Sequence, residues 1–129
     1  MKYISIDGDD VGRKITSLYL SNNEKGLSQL SQLLKDSTKE IAELLDGNEF
    51  KVIFCAADGV VASIDKDVDI SKIFDEIQKL APQGITFSAG LGASLRESYM
   101  ALTFAKCNGK NCLHDYSVLS AGEGGVEYV

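Results

Sequence analysis

The spacing of apolar and polar positions changes several times along the chain, and each change predicts an element. Lys2 to Ile6 (KYISI) alternates and is rich in β-branched and aromatic residues, which predicts a strand. A tight polar segment, Asp7-Gly8-Asp9-Asp10, follows, and Val11 to Leu20 then suits a helix. Leu27, Leu30, Leu33, Leu34, Ile41, Leu44 and Leu45 recur at helical spacing and predict one long amphipathic helix ending at Gly47. Phe50 to Ala56 and Val60 to Ile64 are strand-like runs separated by Ala57-Asp58-Gly59. An Asp-Gly pair between apolar runs predicts a hairpin, because both residues tolerate positive φ. Ile70 to Leu80 is helical in period, Ile85 to Leu91 reads as a strand, and Leu95 to Lys106 as a helix stopping near Asn108-Gly109. Tyr116 to Leu119 is expected as a short final strand. The tail Gly122 to Gly125 is expected to be irregular, with room for a last strand at Val126 to Val129.

This order, strand, helix, hairpin, helix, strand, helix, predicts an α+β fold with a ferredoxin-like βαββαβ core: an antiparallel sheet with helices packed on one face. Nothing reads as a linker, so residues 1–129 are expected to form a single domain. In such a core the first strand runs antiparallel beside the second hairpin strand. Asp7, at the end of strand one, and Asp58, in the hairpin turn, are then expected together at one end of the sheet.

Composition narrows the chemistry. No apolar run reaches the roughly 18 residues of a membrane span. The segment MKYISIDGDD turns acidic where a signal peptide would be apolar, so a soluble, cytoplasmic protein without a membrane partner is expected. The net charge of −6, with no cluster of Lys or Arg, argues against a long nucleic acid as partner. A small anion carried by a metal remains open, because the cation reverses the local field. Cys55, Cys107 and Cys112 lack the paired spacing of a zinc site and are expected as reduced thiols in or near the core. His114 is the only histidine, which removes mechanisms needing a histidine pair.

Two adjacent carboxylates repel unless a cation neutralises them. Mg²⁺ (or Mn²⁺) suits Asp7 and Asp58, because it takes one or two carboxylates and completes its shell with water and phosphate oxygens. The amides of Asp10, Val11 and Gly12 open the following helix and are candidates for cradling phosphates. Each piece alone is common, since acidic turn residues are usually solvated loop ends.

A second set of residues turns this pattern toward a family. The strand ITFSAGLGA, the helix ending ALTFAK at Lys106, and Gly109-Lys110-Asn111 resemble the "TxSxG" strand, "AK" helix end and "G-R/K-N" turn of GGDEF-type nucleotide cyclase domains. IDGDD then resembles that family's first metal loop, and FCAADGV takes the place of the GGDEF hairpin. The resemblance covers nearly the whole chain. The short length and the DGDD-V-G loop look most like the minimal CRISPR polymerase (mCpol) group, itself similar to the palm of the large polymerase subunit of type III CRISPR complexes.

The resemblance implies a nucleotidyltransferase that makes a cyclic di- or oligonucleotide messenger from ATP, in anti-phage defence, with release of pyrophosphate. It implies metal binding by the Asp7 carboxylate, the Gly8 carbonyl and Asp58, with Asp58 also helping to deprotonate a ribose hydroxyl. Lys106 and Lys110 match the basic residues that hold a triphosphate, and Asp9, Asp10, Val11 and Gly12 complete the expected nucleotide-binding set. Asn111 is expected to order its turn. A homodimer or higher assembly is expected, because cyclisation needs a second nucleotide from a facing site.

The departures are specific. Ala56-Ala57 replace two glycines, so the backbone is less approachable. Gly59 replaces an acidic residue, which removes one metal ligand unless Asp9 or Asp10 compensates. The asparagine that reads guanine falls near Ile15, which favours adenine, with other nucleoside triphosphates left open. Three alternatives stand: a catalytically silent nucleotide sensor of the same fold, a plain ferredoxin-like interaction domain, and a haloacid-dehalogenase-type phosphatase. The last needs a parallel sheet around its D-x-D loop.

Overall fold

A computed structural model describes residues 1–121. It contains strands β1 (Lys2–Gly8), β2 (Lys51–Ala56), β3 (Gly59–Ile64), β4 (Phe87–Gly92) and β5 (Leu113–Asp115). The helices are α1 (Val11–Leu20), α2 (Glu24–Gly47), α3 (Ile70–Lys79), α4 (Leu95–Cys107) and α5 (Tyr116–Ala121). The sheet order is β2-β3-β1-β4-β5. It is a palm-like α+β fold. Among the described residues no helix is long and apolar enough to cross a membrane.

The helices begin where short polar side chains satisfy the first free amides. The Asn23 side chain accepts from Gly26 N at 2.8 Å to start α2, and Asp69 accepts from Lys72 N at 3.1 Å to start α3. Ser94-x-x-Glu97 opens α4: Ser94 Oγ accepts from Glu97 N, while Glu97 Oε1 reaches back to accept from Ala93 N. Helix α2 turns Leu30, Leu34, Ile41 and Leu45 inward, the 3–4 spacing of one helical face.

Strand alternation builds two unlike faces. On one, Ile4 and Ile6 of β1, Val60, Ala62 and Ile64 of β3, and Phe87, Ala89 and Leu91 of β4 pack under Ile41 and Leu45 of α2 and Ile73, Phe74 and Ile77 of α3. On the other, Ser5, Ser88 and Gly90 meet α4. The Ser5 and Ser98 hydroxyls are 2.8 Å apart, and a Cβ on Gly90 would lie 2.1 Å from Leu102 N. Helix–backbone contact of that closeness requires glycine.

Three expectations change here. The helices do not share one face: α2 and α3 do, and α4 covers the other, because the small residues of β1 and β4 let it approach. The sheet is antiparallel from β2 through β4, as expected, but gains a parallel edge, since β5 pairs parallel to β4, with Ala89 opposite Leu113 and Leu91 opposite Asp115. Tyr116 to Leu119 is not a strand but lies in α5. The short strand precedes it, and Asp115 Oδ1 accepts from Ser117 N and from its hydroxyl, turning the chain into the helix. The tail from Gly122, with the strand expected at Val126 to Val129, lies outside the described residues.

Strand β1 has antiparallel neighbours on both sides, β3 and β4, which removes the parallel sheet required by the phosphatase alternative. Strand β2 is an edge, with Ile53 and Phe54 exposed and a register shift between Val52 and Phe54.

Candidate active site

The antiparallel register of β1 and β3 sets Asp7 opposite Gly59, and Gly8 N donates to Asp58 O at 3.0 Å. The expected meeting of Asp7 and Asp58 therefore follows from main-chain pairing alone. A Cβ at Gly8 would lie 3.1 Å from Asp58 Oδ2 and 2.7 Å from Val11 Cγ2, so glycine at this position leaves Asp58 its place. Burial, with the charge of Asp58 adding to it, lifts the Asp7 carboxyl from 3.8 to about 6, although Lys106 pulls the other way. Burial thus makes the charged form of Asp7 costly, a cost that a cation beside it relieves.

Lys106, at the end of α4, supplies one such cation. Its Nζ donates to Gly8 O at 2.8 Å and lies 3.2 Å from both Asp7 Oδ2 and Asp9 Oδ1. Two of the three oxygens predicted to hold metal thus face an ammonium.

Asp9 has a different role from its neighbours. It is buried, at 3% exposure, and its carboxylate accepts from Thr86 Oγ1 at 2.6 Å, Ser88 Oγ at 2.8 Å, Asn111 N at 2.9 Å and Lys106 Nζ at 3.2 Å. Burial alone would raise its pKa, but these donors together hold it below the ordinary value. Asp9 ties the β1–α1 turn to β4 and to the turn after α4. That second turn has three successive left-handed residues, Gly109, Lys110 and Asn111, and non-glycine residues there cost about 1–3 kcal/mol each. Thr86 and Ser88 are anchors of the site that the apolar pattern does not reveal, although both belong to the "TxSxG" motif.

Asp10 caps α1 in left-handed geometry (φ 59°) without a side-chain bond to the helix. Its carboxylate instead takes Lys110 Nζ at 2.5 Å, with Arg13 at 3.8 Å, and that lysine holds it below the ordinary range. Val11 is buried, and nothing lies within 4 Å of where a Cβ on Gly12 would stand. The structure thus brings Asp7, Gly8, Asp58, Asp9 and Lys106 together, with Asp10 and Lys110 as an adjoining ion pair.

The positive φ of the hairpin falls on Ala57 (φ 54°), not on Asp58 or Gly59. Cys55 and Cys107 are exposed rather than in the core, and Cys112 is half-buried. His114 packs its ring edge-on to Phe104, 4.7 Å between centroids.

Two carboxylates and a main-chain carbonyl suit a hard divalent ion that keeps water or phosphate oxygens in its remaining positions. The raised Asp7 and the ammonium on Gly8 O both fit that donor set. Among the described residues no group of three or more His, Cys, Asp or Glu side chains is placed to hold a metal ion, so a cation here would rest on the two carboxylates, the carbonyl and oxygens from outside the protein.

No curated protein matches the chain. The family model for the minimal CRISPR polymerase domain (mCpol) matches residues 3–116, a span holding every site residue above. The chain belongs to the mCpol family and carries a CRISPR-associated, polymerase-like domain.

Proposed function

We propose that this domain joins ATP molecules through phosphodiester bonds, releasing pyrophosphate and making a cyclic di- or oligonucleotide messenger. The observation that carries this is the side-by-side placement of Asp7 and Asp58 at the sheet end, with Gly8 O between β1 and α1 and two lysines adjoining. A ribose hydroxyl oxygen attacks the α-phosphorus, a new P–O bond forms, and the α–β anhydride bond breaks. Asp58 accepts the hydroxyl proton. Asp7, Gly8 O and Asp58 would hold Mg²⁺ or Mn²⁺, which supplies charge neutralisation at the triphosphate and acidifies the hydroxyl. Lys106 and Lys110 bind phosphate oxygens, and Asp9 positions Lys106 and the turn that carries Lys110. Ile15 packs against the cluster of Val11, Leu30, Leu34 and Ile85 and has no amide with which to read guanine, which favours adenine. Cyclisation calls for a second copy of the chain facing the first, so the working form is a homodimer or higher assembly. Anti-phage defence in the cytoplasm is the setting that the family suggests.

A silent nucleotide sensor is the second reading, favoured by Gly59 in place of a carboxylate. Both are tested by incubating the protein with each nucleoside triphosphate and Mg²⁺ or Mn²⁺, then weighing the products by mass spectrometry. A linear or cyclic oligoadenylate is expected. Asp58→Ala should abolish it with the circular dichroism spectrum unchanged. Undiminished turnover in that variant would sink the site assignment, and tight nucleotide binding without product would favour the sensor.

A further inference from the structure

Resting on the metal-dependent function proposed above, we infer that Lys106 is the resident counter-cation of the Asp7–Gly8 oxygens. In that role it makes the site select a divalent metal already carried by a triphosphate over the free metal ion. A lysine in the last turn of a helix ordinarily extends into water near the helix carbonyls. Lys106 instead crosses to β1, where only 26% of its side chain is exposed, and donates to Gly8 O at 2.8 Å while lying 3.2 Å from Asp7 Oδ2. These are two of the oxygens a metal would need. An ammonium and a divalent cation cannot both have them, because at such separations like charges repel strongly in a partly buried site.

The cost of moving the lysine depends on what it leaves and what it gains. Asp9 keeps Thr86, Ser88 and Asn111 N when Lys106 departs, so no buried carboxylate is orphaned. The four-carbon stem lets the ammonium swing without moving α4. A free metal ion, however, offers Lys106 no new partner and leaves two cations side by side. A metal–triphosphate complex brings its own anionic oxygens and gives the displaced ammonium a place to go. Metal and nucleotide binding are therefore strongly and reciprocally coupled through one side chain.

The test is a Mn²⁺ titration without nucleotide, reading free Mn²⁺ by electron paramagnetic resonance, on the wild type, K106M, D7N and the D7N/K106M double variant. K106M should bind Mn²⁺ at least tenfold more tightly than the wild type, and the double variant should lose that gain. The wild type provides a second readout that needs no variant. In equilibrium dialysis, a non-hydrolysable ATP analogue should raise protein-bound Mn²⁺ at least tenfold at a fixed free Mn²⁺ concentration. Equal or weaker Mn²⁺ binding by K106M would overturn the inference, as would equal retention by the wild type with and without the analogue. Tight binding by the wild type alone, with no gain in K106M, removes the role of Lys106 and leaves the metal-dependent function standing. No Mn²⁺ on any sample, analogue included, overturns both.

Discussion

The two faces of the sheet are built from opposite materials. Under α2 and α3 lie isoleucines, leucines and phenylalanines, a face held by burying bulk. On the α4 side the sheet offers only Ser5, Ser88 and Gly90, and the helix answers with Ser98, Ala101 and Ala105, Leu102 being its one large buried side chain, so little bulk is buried. Apolar area stabilises in proportion to its size and tolerates local repacking. Close contact between a helix and a strand adds less area but fixes a distance. That distance delivers Lys106 to Gly8 and the Lys110–Asn111 turn to Asp9 and Asp10. One face therefore serves stability, and the other serves position.

This division can be broken by substitution. Leu45→Ala, deep in the α2 face and remote from the acidic end, should lower unfolding free energy by about 2–5 kcal/mol in denaturant melts. Well below its lowered melting temperature, activity per folded molecule should stay near that of the wild type. Gly90→Ala should cost about 1–3 kcal/mol or more of overpacking, because its Cβ meets helix backbone and forces α4 outward, while leaving the α2 face folded. It should nevertheless lose most nucleotide synthesis. If Leu45→Ala silences the protein and Gly90→Ala does not, the division fails.

A smaller effect separates Asp7 from Asp9 in chelator-treated protein. The carboxyl of Asp7 is raised to about 6 in the folded state, so its contribution to stability is present below about pH 4 and lost as pH rises through 6. Asp9 is lowered, so its contribution is present above its unfolded value and lost on acidification. At pH 7, Asp7→Asn should exceed the wild type in unfolding free energy by about 1 kcal/mol, after discounting for the partial exposure of Asp7, and that advantage should vanish near pH 4. Asp9→Asn should melt lower at pH 7. A destabilised Asp7→Asn at pH 7 would mean that the attraction of Lys106 outweighs burial and Asp58.

The greasy face was legible in the sequence, and with it most of the order of elements, because strand and helix periods show directly in large apolar residues. The meeting of Asp7 and Asp58 was legible for the same reason: once β1 and β3 pair, their ends are fixed. The α4 face was not. Serine and glycine score as surface or turn in any apolar pattern, so a face made of them looks like no face at all, and the pattern puts α4 with the other helices. Nor does the sequence distinguish Asp7, Asp9 and Asp10, three carboxylates within four residues. Only the tertiary donors from β4 and from Asn111 make Asp9 a buried anchor. The boundary between β5 and α5 is hidden because three residues of parallel pairing leave no alternation to read.

Ala57 carries one further consequence. An alanine held at φ 54° stores strain that glycine would not, of order 1 kcal/mol. Its methyl group also strips conformations from the turn that glycine would explore. The order needed at Asp58 is thus imposed once, when the chain folds, and need not be found again at each encounter with a nucleotide.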